Sequence, residues 1–109
     1  MPSEADRPPW DDRELRFVAN LCDALSEPTR LRLFILVCEQ APVYAGALVT
    51  QVGLSQATVS RHMSVLVNRG LVAAERRAQR VYYEPFEDYL ELLDMLRSYA
   101  PSDRDVVVG

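Results

Sequence analysis

The residues best suited to recognition chemistry form one run in the middle of the sequence. The run occupies residues 55–62 and follows a short apolar segment that ends at Gly53. Ser55 is a suitable N-cap for a helix that continues to about Arg69 and ends at Gly70. The polar side chains on the outer side of its first two turns are those of Gln56, Thr58, Ser60 and Arg61. Amide, hydroxyl and guanidinium groups so placed hydrogen-bond to base edges and phosphates, so the run predicts a DNA-binding helix.

A basic hairpin is predicted directly after this helix. Residues 71–75 and 81–84 alternate apolar and polar side chains, as two antiparallel strands do, and residues 76–80 join them. Three arginines lie at the predicted tip: Arg76, Arg77 and Arg80. Guanidinium groups contact phosphates or enter a narrow minor groove, so this hairpin is predicted to be the wing of a DNA-binding domain.

The positive charge of the chain concentrates in the same region. The chain as a whole carries a net charge of −4. Residues 55–83 hold five arginines and one glutamate, whereas residues 1–14 and 84–109 carry an excess of acids. All 12 basic residues are arginine, the side chain suited to bidentate contacts with phosphate or guanine. The predicted helix and wing therefore form a basic surface between acidic flanks.

Four further helices are predicted to position this surface. Apolar spacing indicates helices over residues 11–25, 28–39, 44–52 and 85–99. With the central helix and the hairpin, the order is α-α-α-α-β-β-α, mainly α with a small antiparallel β-hairpin, which is a winged helix-turn-helix. One domain over residues 11–100 is expected, with a flexible N-terminal arm at 1–10 and a flexible tail at 101–109.

The apolar stripes predict both a core and a second buried surface. The second helix is expected to face inward through Leu31, Phe34, Ile35 and Cys38, and the central helix through Val59, Met63, Leu66 and Val67. The first and last helices each carry two apolar stripes, more than one small core requires. This surplus predicts a two-fold homodimer through the first and last helices, the alternative being a wide stripe buried within one subunit.

Four segments together resemble a known family. They are Ala-Leu-Ser-Glu-Pro-Thr-Arg-Leu-Arg at 24–32, Gly-Leu-Ser-Gln-Ala-Thr-Val-Ser-Arg-His at 53–62, Asn-Arg-Gly-Leu-Val at 68–72 and Arg-Val-Tyr-Tyr at 80–83. In this order and spacing the chain resembles the ArsR/SmtB family of small bacterial winged-helix transcriptional repressors, over about residues 12–99. The resemblance implies a homodimer that occupies an operator and leaves it when an inducer binds or a thiol reacts.

The resemblance also implies roles for individual residues. Residues 55–69 would form the recognition helix and residues 76–80 the wing tip. The side chains implied to face the major groove are Ser55, Gln56, Thr58, Ser60 and Arg61. His62 matches a family position that leans toward the core or the phosphate backbone. Gln56 is expected to pair with adenine and Arg61 with guanine or phosphate, on a near-palindromic double-stranded operator.

The family's metal-binding positions are not matched. Metal-sensing relatives carry a Cys-x-Cys pair at the start of the third helix, where this chain has Tyr44 and Gly46. Other relatives place Asp and His ligands on the last helix, which here contains no His. Zinc prefers His and Cys ligands. No bound metal and no cofactor are therefore expected.

The two cysteines allow two interpretations. Cys22 and Cys38 both lie on apolar stripes, where they can serve as small buried hydrophobes. Alternatively, either thiol could sense oxidants or arsenicals and switch DNA binding. In a hairpin of two helices they would lie about 10 Å apart along the axis, too far for a disulfide within one subunit. A Cys22 pair across a dimer interface remains open.

Other function classes receive less support from the sequence. His62 has no nucleophile with an orienting partner in the sequence pattern, so no enzyme is predicted. A winged helix that binds only other proteins is the remaining alternative, although the arginine-rich wing disfavours it. The N-terminus does not resemble a signal peptide, and no apolar run reaches the ~20 residues of a membrane span. A cytoplasmic protein without membrane contact is expected.

Overall fold

The computed structural model describes residues 8–101 and contains five α-helices and a small sheet in that range. The helices are α1 (Asp12–Leu25), α2 (Pro28–Gln40), α3 (Ala45–Val52), α4 (Gln56–Asn68) and α5 (Leu90–Tyr99). The strands are β1 (Val43–Tyr44), β2 (Val72–Arg77) and β3 (Arg80–Pro85), and one 3-10 turn spans Glu87–Tyr89. This arrangement confirms the predicted winged helix-turn-helix. Residues 1–7 and 102–109, which make up most of the predicted arm and tail, lie outside the described residues.

The sheet has one strand more than the sequence predicted. Its order is β1-β3-β2, and both pairings are antiparallel. Tyr44 was expected to begin a helix, but it pairs with Tyr82 as the second residue of β1, and α3 begins one residue later. Two residues are too few to show the alternation by which a strand is recognised, which explains the error.

The hairpin tip is shorter than predicted, and the last helix starts later. Because β2 runs to Arg77 and β3 begins at Arg80, only two residues turn the chain, and Ala78 adopts a positive φ of 57°. All three wing arginines therefore lie within strands instead of in a loop. Pro85 was expected to open the last helix, but it pairs with Val72 at the end of β3, and α5 begins at Leu90.

The core lies between α2, α3, α4 and the inner face of the sheet. Its largest fully buried side chains are Phe34, Leu33, Leu48, Met63, Leu66, Leu71, Val37, Val59 and Val72. The prediction for α4 is confirmed at Val59, Met63 and Leu66. For α2 it is confirmed at Phe34 and in part at Cys38, which is half-buried against the core, but it missed the buried Leu33 and Val37, while Leu31 and Ile35 stay half-exposed. Residues 33–38 are all apolar, so periodicity could not identify the inward side of this helix.

The outer helices contribute little to this core. Ala24 is the only fully buried residue of α1, and α5 has no buried residue among those described. We call the outward apolar side chains of α1, α2 and α5 the α1/α5 surface. It comprises Leu21, Cys22, Leu25, Leu31, Ile35, Leu92, Leu96 and Tyr99.

The helices within residues 8–101 are all too short or too polar to cross a lipid bilayer.

Candidate nucleic-acid interface

The recognition helix α4 is held at its start by a turn and a cap that the sequence predicted. Gly53 ends α3 in the left-handed conformation at φ 68° and donates its N–H to the Val49 carbonyl. Ser55 then caps α4, with its Oγ accepting a hydrogen bond from the Thr58 N–H at 3.1 Å and donating to Thr58 Oγ1 at 2.8 Å. Both hydroxyl groups therefore fix the first turn of α4, in addition to any role toward DNA.

The two sides of α4 differ completely in their environment. Val59, Met63 and Leu66 are buried against the core. Gln56, Ser60 and Arg61 are exposed, with Arg61 opposite the buried side and Gln56 and Ser60 in the first two turns, and within residues 8–101 their side chains form no hydrogen bond. Thr58 is half-buried. Three polar groups of the kind that contact base edges are therefore presented to solvent on a helix whose other side is fixed by the core.

His62 turns toward α2. Its side chain is 19% exposed, and its Nδ1 lies 3.7 Å from Oε2 of Glu27. The same Glu27 oxygen caps α2 by accepting a hydrogen bond from the Arg30 N–H at 2.8 Å. This backbone hydrogen bond, assisted by the nearby His62, lowers the pKa of the Glu27 carboxyl. His62 thus joins α4 to the start of α2 through its Nδ1.

The wing arginines divide between the two faces of the hairpin. Successive residues of a strand point to opposite faces, so Arg76 lies on one face while Arg77 and its register partner Arg80 lie on the other. Arg76 lines a groove between α4 and the wing together with Gln56 and Ser60. The sequence predicted one basic tip, but the structure has one arginine beside the recognition helix and two on the far face.

The two arginines of the far face have different partners. Arg77 Nη2 lies 3.2 Å from Glu75 Oε2, and its guanidinium carbon is 5.1 Å from the centre of the Tyr82 ring. The hydrogen bond to Glu75 raises the pKa of Arg77 further, so this guanidinium stays charged but is partly neutralised by its neighbour. Arg80 instead lies over the Tyr44 ring, with 4.5 Å from its guanidinium carbon to the ring centre.

Arg69 belongs to the basic part of the sequence, but its guanidinium contacts α1 within the protein. Its Nη1 lies 3.0 Å from Asp23 Oδ2 and donates a hydrogen bond of 3.0 Å to the Asn20 carbonyl. Both partners are in α1, so Arg69 fastens the end of the recognition helix to that helix. A count of charges along the chain could not distinguish this arginine from those of the wing.

The two cysteines are in different environments. Cys38 is half-buried, and this burial, together with the neighbouring Glu39 charge, raises the pKa of its thiol to about 11. Its reactive thiolate form is therefore scarce at neutral pH. Cys22 is exposed within the α1/α5 surface. Across residues 8–101, no three His, Cys, Asp or Glu side chains are grouped as metal ligands would be.

Comparisons with known proteins agree with this geometry. Residues 27–74 match the family model described as "Bacterial regulatory protein, arsR family". The chain is 36% identical over 102 residues to the nodulation protein NolR of Rhizobium meliloti, covering 92% of this chain and 82% of that protein.

Solved structures of two further proteins are similar over most of the chain. One is the homodimeric winged helix-turn-helix DNA-binding domain of a possible ArsR-family transcriptional regulator from Mycobacterium bovis. It has a TM-score of 0.73 and 28% identity over 84% of this chain and 88% of that one. The other is the transcriptional repressor BigR from Xylella fastidiosa, with a TM-score of 0.73 and 29% identity over 84% and 94% of the two chains.

Proposed function

We propose that this chain, which belongs to the arsR family of bacterial regulatory proteins, represses transcription by occupying a specific operator through α4 and the wing. Its membership makes it a DNA-binding transcriptional regulator. The observation that supports the finer proposal is the outer side of α4, where Gln56, Ser60 and Arg61 are exposed and have no hydrogen-bond partner among the described residues. Such groups can pair with base edges without losing a hydrogen bond to any of the described residues.

The residues of this surface take separate roles in the proposal. Gln56 contacts adenine, whose N6 and N7 match the side-chain amide, and Arg61 contacts guanine or a phosphate. Ser60 lies between them on the same side. Ser55 and Thr58 combine helix capping with contacts at the edge of the major groove, and His62 faces a phosphate through Nε2.

The wing arginines contact the DNA backbone on either side of its tip. Arg76 lines the groove that also contains Gln56, so it meets the backbone beside the major groove. Arg77 and Arg80 contact phosphates or a narrow minor groove from the other face. The local excess of positive charge in residues 55–83 supports this assignment, because phosphate contacts provide most of the affinity of such complexes.

The functional unit in the proposal is a homodimer through α1 and α5. The α1/α5 surface exposes large apolar side chains, including Tyr99 at 81% and Leu96 at 39%. An isologous two-fold contact would cover this surface on both protomers at once. The two recognition helices would then meet successive major grooves, about one helical turn apart, on a near-palindromic operator.

Release from the operator is proposed to follow binding of an inducer or reaction of a thiol. If a thiol is used, Cys22 is the better candidate, because it belongs to the α1/α5 surface and its modification would disturb the proposed dimer contact. The raised pKa of Cys38 disfavours that residue. A fluorescence anisotropy titration of reduced protein, repeated after mild thiol oxidation, tests the choice. Loss of tight binding on oxidation would indicate a thiol switch, and unchanged binding would indicate an inducer or regulation by the abundance of the protein.

The proposed division of roles is tested with two variants on DNA from the region upstream of the gene. Gln56→Ala should weaken operator binding by roughly 1–3 kcal/mol and relax the preference at one base pair. Arg77→Ala should weaken binding to all sequences and reduce the slope of affinity against salt. Anisotropy titrations against single-base operator variants at several salt concentrations measure both effects. Identical behaviour of the two variants across these operators would show that the proposed roles are wrong.

A further inference from the structure

We infer that Tyr44 is a positioning residue for DNA binding, and that its ring holds the Arg80 guanidinium in place for a backbone phosphate. The inference rests on the proposed function, which places Arg80 at a phosphate. It assigns a role to a residue outside the recognition helix and the wing hairpin. Tyr44 is the last residue of β1 and directly precedes α3, so it lies between the helix-turn-helix and the wing.

The first observation is a cluster of rings and guanidinium groups on one face of the sheet. Tyr44 is paired in register with Tyr82, and their ring centres are 6.0 Å apart at an interplanar angle of 45°. Arg80 precedes Tyr82 by two residues and therefore shares its face. Its guanidinium carbon lies 4.5 Å from the centre of the Tyr44 ring, within the range of a cation–π contact.

The second observation is that the Tyr44 ring occupies the space that a side chain at position 46 would fill, and residue 46 is a glycine. A Cβ atom added at Gly46 would lie 2.5 Å from Cε2 and 2.8 Å from Cζ of Tyr44. Real Cβ atoms are not found so close to ring carbons, so a side chain at position 46 would displace the ring. Tyr44 is thus packed against the first turn of α3, and its position sets the position of Arg80.

The third observation distinguishes Arg80 from Arg77. Arg77 is paired with the Glu75 carboxylate at 3.2 Å, whereas within residues 8–101 Arg80 has no acidic partner at salt-bridge distance. An aromatic ring restricts a guanidinium without neutralising it. Arg80 is therefore both ordered and fully charged before DNA arrives, so it loses less conformational freedom on binding a phosphate.

The test is a double-mutant cycle between Tyr44 and Arg80, measured by anisotropy on the operator. Arg80→Ala should weaken binding about tenfold and reduce the salt slope by about one. Tyr44→Leu should weaken binding about two- to fivefold, as expected for loss of an exposed cation–π contact. Tyr44→Phe keeps the ring and should bind as the unsubstituted protein does. In the Arg80→Ala background, Tyr44→Leu should have no further effect.

Gly46→Ala provides a second way to displace the Tyr44 ring. Because it keeps the tyrosine itself, it is a control for a folding defect in Tyr44→Leu. It should reproduce the two- to fivefold loss, and this loss should also vanish when Arg80 is absent. Circular dichroism and thermal unfolding establish that each variant is folded before its affinity is interpreted. The rescue by Phe and the dependence on Arg80 are readouts that a merely structural tyrosine would not show.

The outcomes separate the inference from the proposed function. If Arg80→Ala binds the operator normally, the phosphate role proposed for Arg80 is wrong and the inference fails with it. If Arg80→Ala weakens binding but Tyr44→Leu does not, or weakens it equally without Arg80, only the positioning role is overturned. Loss in Tyr44→Leu and Gly46→Ala, retention in Tyr44→Phe and dependence on Arg80 would together establish it.

Discussion

The half of the molecule formed by α3, α4 and the wing differs sharply from the half formed by α1 and α5. In the first, each helix is buried along one side and exposes polar groups on the other, as α4 does through Met63 and Arg61. In the second, large apolar side chains remain exposed, with Phe17 at 60% and Tyr99 at 81%. Both halves belong to one chain with one core, so the difference lies in what each half still has to bind.

This difference indicates that the two halves of the molecule bind different partners. In the first half almost all large apolar side chains are buried within one protomer, with Leu54 the exception, so its outer side is free to contact a polar and charged ligand. Burial in the second half is incomplete, and contiguous apolar patches of this kind mark protein interfaces. This contrast supports the proposal that one half binds DNA and the other binds a second copy of the chain.

The largest expected effect comes from a charge placed on the α1/α5 surface. Leu96 is 39% exposed and contributes to both apolar clefts of that surface, beside Leu31. Leu96→Glu should convert the homodimer to a monomer, because burying an unpaired carboxylate is costly. Operator affinity should then fall by about 100-fold or more, since the second recognition helix no longer contributes. Analytical ultracentrifugation and anisotropy measure the two effects.

Leu54 provides the matched control for that substitution. It is exposed to a similar degree, at 38%, but precedes α4 in the other half of the molecule. Leu54→Glu should therefore remain dimeric in the ultracentrifuge, whatever its effect on DNA binding. A dimeric Leu96→Glu variant, or a monomeric Leu54→Glu variant, would contradict the assignment of the interface.

An intermediate effect is expected in the reactivity of the two thiols. A thiol with a pKa of about 11 has about a hundredfold less thiolate at pH 8 than an ordinary cysteine, so Cys38 should alkylate slowly. Cys22 should react slowly in the dimer, where the α1/α5 surface is covered, and rapidly in the Leu96→Glu monomer. Iodoacetamide labelling followed by peptide mass spectrometry measures both rates. Equally fast labelling of Cys22 in both proteins would place it outside the interface.

The smallest effect is expected where the recognition helix is fastened to α1. Arg69→Met removes the contacts to Asp23 and Asn20 and should destabilise the fold by about 0.2–1 kcal/mol, the usual range for exposed ion pairs. Urea unfolding at a fixed protomer concentration measures this loss. Arg97→Gln is the comparison, because the ion pair between Arg97 and Glu39 is longer, at 3.7 Å, and the Arg97 side chain is 71% exposed. A larger loss of unfolding free energy for Arg97→Gln than for Arg69→Met would contradict this prediction.

The elements that depend on local signals were predicted well from the sequence. Ser55 as an N-cap and Gly53 as the end of α3 follow from side-chain and backbone preferences that operate within a few residues. The buried side of α4 also follows, because its apolar residues recur on one side only. The fold and the basic character of α4 and the wing could thus be inferred without coordinates.

The details that depend on tertiary contacts could not be predicted in this way. Part of the buried side of α2 was missed because residues 33–38 are all apolar, and only packing against the neighbouring elements selects Leu33 and Val37. Strand β1 exists because Tyr44 pairs with Tyr82, a contact between residues far apart in the chain. The distribution of Arg76 and Arg77 over two faces depends on where the two-residue turn falls. The contacts of individual side chains with DNA remain predictions.

Within residues 8–101 the side chains of Gln56, Ser60 and Arg61 form no hydrogen bond, and this also bears on how such regulators diversify. Substitutions at these positions leave the caps, the core and the His62 contact with Glu27 intact. A duplicated gene could therefore acquire a new target sequence through a few changes on one side of α4 without a loss of stability. Selection on the operator and selection on the fold thus act on separate residues of the same helix.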